Sequence, residues 1–291
     1  MYSIYKSILV AICISSASSS IGTQFLAVPV SAIELGLGRH PTMTWGININ
    51  PALIGQFDHG TEMSFSLGEW LKDVQTSSVT FITPLLGGAG GFQIRYVGLN
   101  DLELRPNVPL DEPIGTFDAY GTTLDLLYAH ERHGLNFGVA LHTLYMQIFT
   151  ESTYGLAFDI GILHTTKHGL KIGGSILNIG RTGELYKNSP EMPIRITGGI
   201  AHQHQIGSLM NTIYLSGEHS RLNKLVLFKI GNESRWNELA IRINTQISKN
   251  SISYGGGIGF SAGIYQLNYG LNFDSNKLGI SQTITVSARF P

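Results

Sequence analysis

Histidine is the residue type best placed to do chemistry in this chain. Six of its ten histidines, His130, His133, His164, His168, His202 and His204, fall in or beside three short breaks in the sequence pattern. Imidazoles can ligate a metal or titrate near neutral pH. No cysteine or carboxylate completes a metal shell of recognisable spacing, and His130-Glu131-Arg132-His133 is one residue short of the zincin motif. These six therefore read as solvated turn residues or as contacts for a protein partner, with no metal. The glycines at 87–91 and Gly255–Gly257 lack the following Lys and Ser or Thr that a phosphate-binding loop requires. No nucleophile elbow and no credible carboxylate pair is present, so the chain reads as a non-enzyme without a cofactor.

The remaining candidates are charges inside alternating segments: Arg95, Asp125, Asp159, Arg195, Glu238 and Arg242. Each shares its parity with small or polar residues and opposes an apolar set. Ile94 and Tyr96 flank Arg95, Leu124 and Leu126 flank Asp125, and Phe158 and Ile160 flank Asp159. Side chains in a strand alternate between faces. A membrane barrel needs this pattern in every strand, with lipid outside and a polar lumen inside. The six charges are thus expected to face the lumen, as a pathway, as a docking surface or simply as ion pairs across it.

About fourteen such segments follow residue 60, the best of them at Met63–Leu67, Tyr120–Tyr128, Tyr154–Ile162 and Tyr265–Phe273. The number is even, as in single-chain bacterial barrels, and helical periodicity is nearly absent. Composition agrees: 13% of the 291 residues are charged, the net charge is −1 and there are 35 glycines, against roughly 25% charged residues in ordinary soluble proteins. Such a balance offers no basic footprint for nucleic acid. The expected fold is all-β: a transmembrane outer-membrane antiparallel barrel of about 14 strands with a short N-terminal plug. Short breaks at 87–88, 130–134, 165–169, 203–208 and 261–263 alternate with longer ones at 98–115 and 180–190. Barrels put short turns in the periplasm and long loops outside. The six histidines would then lie on the periplasmic rim. Trp70 and Trp236, near strand ends, read as interfacial anchors.

Three regions are expected. Residues 1–20, with Lys6, an apolar stretch and the small residues Ser15–Ser20, have the layout of a cleaved signal peptide. Residues 21–59 carry Phe25, Leu26, Val28 and Val30, a possible helical turn at Ala32–Leu37 and helix-breaking prolines, and read as a plug or hatch. Residues 60–291 form the barrel. Export and strand pattern together place the protein in the outer membrane of a Gram-negative-type bacterium, in contact with its lipid.

Ordered motifs add a resemblance. "QFLAVPVSAIELGLG" from Gln24 to Gly38, "NPALI" from Asn50 to Ile54, the block from Ile94 to Ala129 and "GLKIGGSILNIG" from Gly169 to Gly180 resemble the PorV/PorQ family, small relatives of the FadL-like barrels. Asn50, Pro51, Ala52 and Leu53 are similar to the family's plug signature. Arg39, His40, Pro41 and Thr42 stand where many relatives carry an acidic stretch. The resemblance implies a fourteen-stranded barrel partly plugged by its N-terminal segment. It also implies an accessory of type IX secretion, a cargo shuttle or an anchor, whose partners are secretion-system subunits or exported protein. Two alternatives stay open: a FadL-like transporter of small hydrophobic compounds, and a structural envelope protein.

Overall fold

The computed structural model describes residues 22–57, 60–105, 111–222, 224–249, 251–275 and 279–291; the signal-peptide reading of residues 1–20 lies outside them. Fourteen antiparallel strands close into one barrel: β1 (Thr61–Trp70), β2 (Val74–Leu85), β3 (Gly88–Leu104), β4 (Gly115–Arg132), β5 (Leu135–Ile148), β6 (Glu151–Thr165), β7 (Leu170–Thr182), β8 (Arg195–Ile206), β9 (Leu209–Ser220), β10 (Leu225–Trp236), β11 (Leu239–Ile247), β12 (Ile252–Ala262), β13 (Tyr265–Asp274) and β14 (Ile280–Phe290). Each pairs with its sequence neighbours, and the seam joins β1 to β14 from Thr61↔Phe290 to Glu69↔Gln282. The expected transmembrane barrel is the fold observed. Its strands match or exceed the ~9–11 residues that span a bilayer, β3 and β4 reaching 17 and 18 residues.

Alternation is what makes the sheet a membrane wall. Phe65, Ile94, Leu126, Phe137, Ile160, Leu215, Ile258 and Leu267 project outward and are exposed, whereas Ser64, Gln93, Asp125 and Asn268 on the opposite parity are buried. One residue of register slip would exchange the two faces, so burial fixes the register. Register shifts occur only between Leu99 and Leu102 on β3 and between Phe158 and Ile160 on β6, among the described pairs.

The two rims differ. Six links lie at one rim, most of them two residues long, including Leu86–Gly87 and His133–Gly134, whose φ values of 51° and 76°, and 55° and 77°, suit the twist of tight hairpins. The opposite rim carries the longer connections, between β3 and β4 and between β7 and β8. On the outer face toward that long-loop rim, Tyr96, Tyr120, Tyr145 and Tyr154 form a row with ring centroids 5.7, 6.1 and 5.0 Å apart. Trp236 is outward at the short-turn rim; Trp70 has inward parity with Ser64 and Ser66, which corrects its reading as an interfacial anchor.

Residues 22–57 fill the lumen. They comprise a 3₁₀ turn at Thr23–Ala27, helix α1 (Ala32–Leu37) and a second 3₁₀ turn at Pro51–Gln56. Helix α1 starts at Ser31, whose hydroxyl accepts from Glu34 N at 3.2 Å, and ends at Gly38 with φ 91°. It lies against β10–β14, while the turn at Pro51–Gln56 lies against β3–β6.

Candidate functional site

The junction between plug and wall is the only densely built polar structure among the described residues, and small residues decide where it forms. A Cβ on Gly257 or Gly270 of the wall would meet Gly36 Cα at 3.3 Å and the Ala32 carbonyl oxygen at 2.2 Å. Likewise a Cβ on Gly138 would fall 2.2 Å from Ala52 N, and one on Gly161 would fall against the Asn50 side chain. Strand interiors disfavour glycine except where another backbone approaches closely. Gly256 and Gly257, with Gly270 on the next strand, are therefore the seat of α1.

Asn50 organises the second seat. Its side chain accepts from Ala52 N at 3.0 Å and donates to Pro41 O at 2.8 Å and to Ile162 O at 3.0 Å. One amide thus caps the 3₁₀ turn, closes the loop behind it and ties both to β6. Pro51 begins the turn, where its missing N–H costs nothing. Ala52, Leu53 and Ile54 are wholly buried against the wall.

Charged groups fill the rest of the junction. Arg195 Nη1 lies 3.3 Å and Lys229 Nζ 2.5 Å from the two oxygens of Glu218. Both cations also reach the plug, Arg195 at Asn48 O (3.2 Å) and Lys229 at Arg39 O (3.2 Å). Arg242 donates to Glu233 at 2.6 Å and to Asn268 at 2.9 Å, and Arg235 shares Glu233 while reaching Thr44 of the plug. Across β4, β5 and β6, His142 stands between Asp125 (2.8 Å) and Asp159 (3.0 Å), and Asp159 also accepts from Asn178 N at the β6–β7 irregularity. Arg95 donates to Leu26 O at 3.4 Å beneath the Phe25 ring.

Five of the six candidate charges, Arg95, Asp125, Asp159, Arg195 and Arg242, are thus buried on the lumen face. Glu238 is not. It is exposed in the two-residue link between β10 and β11, because β10 runs on to Trp236; the acid that pairs with Arg242 is Glu233. Sequence reasoning also missed His142, Glu218, Lys229 and the plug's Arg39. His142 could have been found by carrying the Leu135–Leu141 alternation one residue further. Arg39 and His40 carried no periodic signal. Burial, with Lys229 nearby, pushes His40 down to about 3, so the ring is neutral where it stacks on Tyr214 and meets Ser216 Oγ at 2.8 Å.

Beside the plug the two ends of the lumen differ. At the short-turn mouth a cavity of about 440 Å³ lies between Trp45, Gln56 and Phe57 of the plug and Glu62, Arg235 and Arg289 of the wall. At the long-loop end the lumen face turns apolar. Val97, Leu144, Met146 and Met192 close around Phe25, Leu26 and Val30, with Val74 and Ile194 at the margin.

Solved structures share this architecture. The TodX deltaS2S3 mutant monoaromatic hydrocarbon channel matches with a TM-score of 0.59 and 10% identity over 89% of this chain and 99% of that one. The Pseudomonas putida toluene transporter TodX matches with a TM-score of 0.55 and 11% identity over 89% and 97%. The likeness is one of fold. No protein-family model matches the chain, and no curated protein does.

The six rim histidines all lie at the short-turn end. His130, His164, His202 and His204 project from the outer faces of β4, β6 and β8, and His133 and His168 occupy the adjoining turns. They gather on one arc, β4 to β8, and no metal-binding group of three or more ligands occurs among the described residues.

Proposed function

We propose that this protein is an outer-membrane transporter of small hydrophobic compounds, oriented with the short-turn rim in the periplasm and the long loops outside. The apolar cup at the long-loop mouth carries the reading. Lumen faces of barrels are polar by default; here Val97, Leu144 and Met146 depart from that rule at the end where a solute would enter, as Ile82, Leu127 and Leu163 do behind the plug toward the short-turn rim. A hydrocarbon gains about 25 cal/mol for each Å² of apolar surface removed from water there. Phe25 and Leu26 occupy the cup, so solute and plug compete for it. Support also comes from the fold shared with TodX, which is described as a monoaromatic hydrocarbon channel.

PorV/PorQ-type kinship is compatible with the barrel and its plug, but the secretion-accessory role has no support from the comparisons, and the transporter reading takes precedence over it. The test is uptake of labelled toluene by cells that lack other hydrocarbon channels. Producing the barrel should accelerate uptake. Leu144→Glu should cut the gain about tenfold, the equivalent of about 1.4 kcal/mol, while the barrel remains folded by heat-modifiable gel mobility. Uptake equal with and without the protein would remove the proposal.

A further inference from the structure

The histidine arc is built in a way that the transport reading does not use. His130 pairs with Phe137, His164 with Leu135 and Ile172, and His202 with Ile213. Each thus stands level with the last outward apolar residues of its neighbours, close to the short-turn rim, where a barrel meets lipid headgroups.

Hydrogen bonding fixes what these rings present. His130 Nδ1 lies 3.1 Å from Gly87 O and His164 Nδ1 lies 2.8 Å from Gly134 O. A carbonyl oxygen only accepts, so Nδ1 carries the hydrogen in both rings and Nε2 is the free atom. Once protonated, that Nε2 becomes a cationic donor. His202 and His204 stack with centroids 6.1 Å apart, doubling the imidazole density on β8.

The charges around them are mainly cationic. Arg132 on β4 and Lys167 in the β6–β7 link are exposed beside the rings. Glu131 has the inward parity of Asp125 and Ala129 but is exposed at the rim between His130 and Arg132, Lys171 is turned inward onto Gln56, and Glu238 lies in the next short link, between β10 and β11. On the outer face at the short-turn end of this arc no acid occurs among the described residues, Asp118 being at the opposite end of β4.

We infer that the arc from β4 to β8 is a collar that binds the phosphate groups of anionic glycerophospholipids in the leaflet beside the short-turn rim. A flat array of imidazoles flanked by the exposed Arg132 and Lys167, near headgroup depth and without a cleft, fits a lipid surface better than a folded partner. Juxtamembrane cations attract anionic lipid in the same way, and imidazoles make the attraction dependent on pH in the physiological range. The inference rests on the barrel spanning a membrane, and is independent of what is transported.

The experiment titrates delipidated barrel in non-ionic detergent with phosphatidylglycerol or phosphatidylcholine at about pH 6 and about pH 8, counting retained lipids by native mass spectrometry. Wild type should retain phosphatidylglycerol several-fold over phosphatidylcholine at the lower pH, with the preference shrinking at the higher. A variant with all six rim histidines changed to Gln, folded by heat-modifiable mobility, should lose the pH dependence; Arg132→Gln with Lys167→Gln should weaken binding but keep it. Equal retention of the two lipids by wild type, or an unchanged preference in the six-Gln variant, overturns the collar. So does an envelope protein recovered in stoichiometric amount with wild type and lost with the six-Gln variant while lipid retention is unaltered. Toluene uptake is read separately, so the two proposals fail independently.

Discussion

Gly138 offers the sharpest handle on whether the plug is held by close backbone approach. A methyl group there would sit 2.2 Å from Ala52 N and 2.3 Å from Pro51 C, about 1.2 Å short of the 3.4 Å at which ordinary contact begins. The obstacle is backbone, so the turn at Pro51–Gln56 must shift as a body. Overpacking of this kind costs about 1–3 kcal/mol. Against it stand the burial of Leu53 and Ile54, worth about 1.5–3 kcal/mol each, and the hydrogen bond from Asn50 to Ile162 O of the wall, about 0.5–1.5 kcal/mol. Docking therefore survives Gly138→Ala in weakened form, and the larger Gly138→Leu should displace the turn. Limited proteolysis of residues 22–57 in detergent reads the population of the undocked state. Gly138→Ala should accelerate cleavage by about 5- to 150-fold, the range equivalent to 1–3 kcal/mol, and Gly138→Leu should also raise conductance in planar bilayers. Gly198→Ala is the control, since an added Cβ there meets nothing within 4 Å. Wild-type cleavage and conductance in Gly138→Leu would refute the argument that glycine spacing seats the plug.

Other outcomes follow from the charges. The docked His40 is held down to about 3, whereas an undocked one takes its proton near 6.5. Plug retention should therefore be full above about pH 6.5 and weaken as pH falls toward 3, by up to about 1.4 kcal/mol per unit; protease sensitivity of the plug against pH checks this, and His40→Asn should flatten that part of the profile. Glu218→Gln leaves Arg195 and Lys229 buried without their shared carboxylate, so the temperature at which the barrel loses its compact gel mobility should fall, as expected for a loss of about 3–5 kcal/mol. Asn50→Ala removes the cap and the tie to Ile162 O together, and should speed plug proteolysis without altering the barrel's own heat stability.

The wall was largely legible because its information is local. Tyr265, Leu267, Tyr269, Leu271 and Phe273 declare one face with no knowledge of any partner strand, since the period of two is set by the backbone. Errors came where a strand met its turn. Glu238, the residue before Leu239, reads by alternation as a lumen residue, but Asn237 has φ 51° and opens a tight link there. Trp70 was misread for the related reason that proximity to a strand end says nothing about parity. A turn of two residues and a strand end look alike when only composition is read.

The plug's docking was not legible, because each of its determinants pairs residues far apart in sequence. Asn50 meets Ile162, Gly36 meets Gly257, and Arg39 O meets Lys229. A glycine in a strand pattern announces that something comes close, and not what. Gly138, Gly161, Gly257 and Gly270 could each have been a bulge, a tight bend or a void for solute. Only the plug's path distinguishes them, and it assigns all four to contact with the plug. The consequence bears on function: glycines that would have widened an empty lumen here narrow it instead. The contact of Phe25 and Leu26 with Val97, Leu144 and Met146 is apolar on both sides, so under the proposed transport function it is one that a hydrophobic solute would replace in kind.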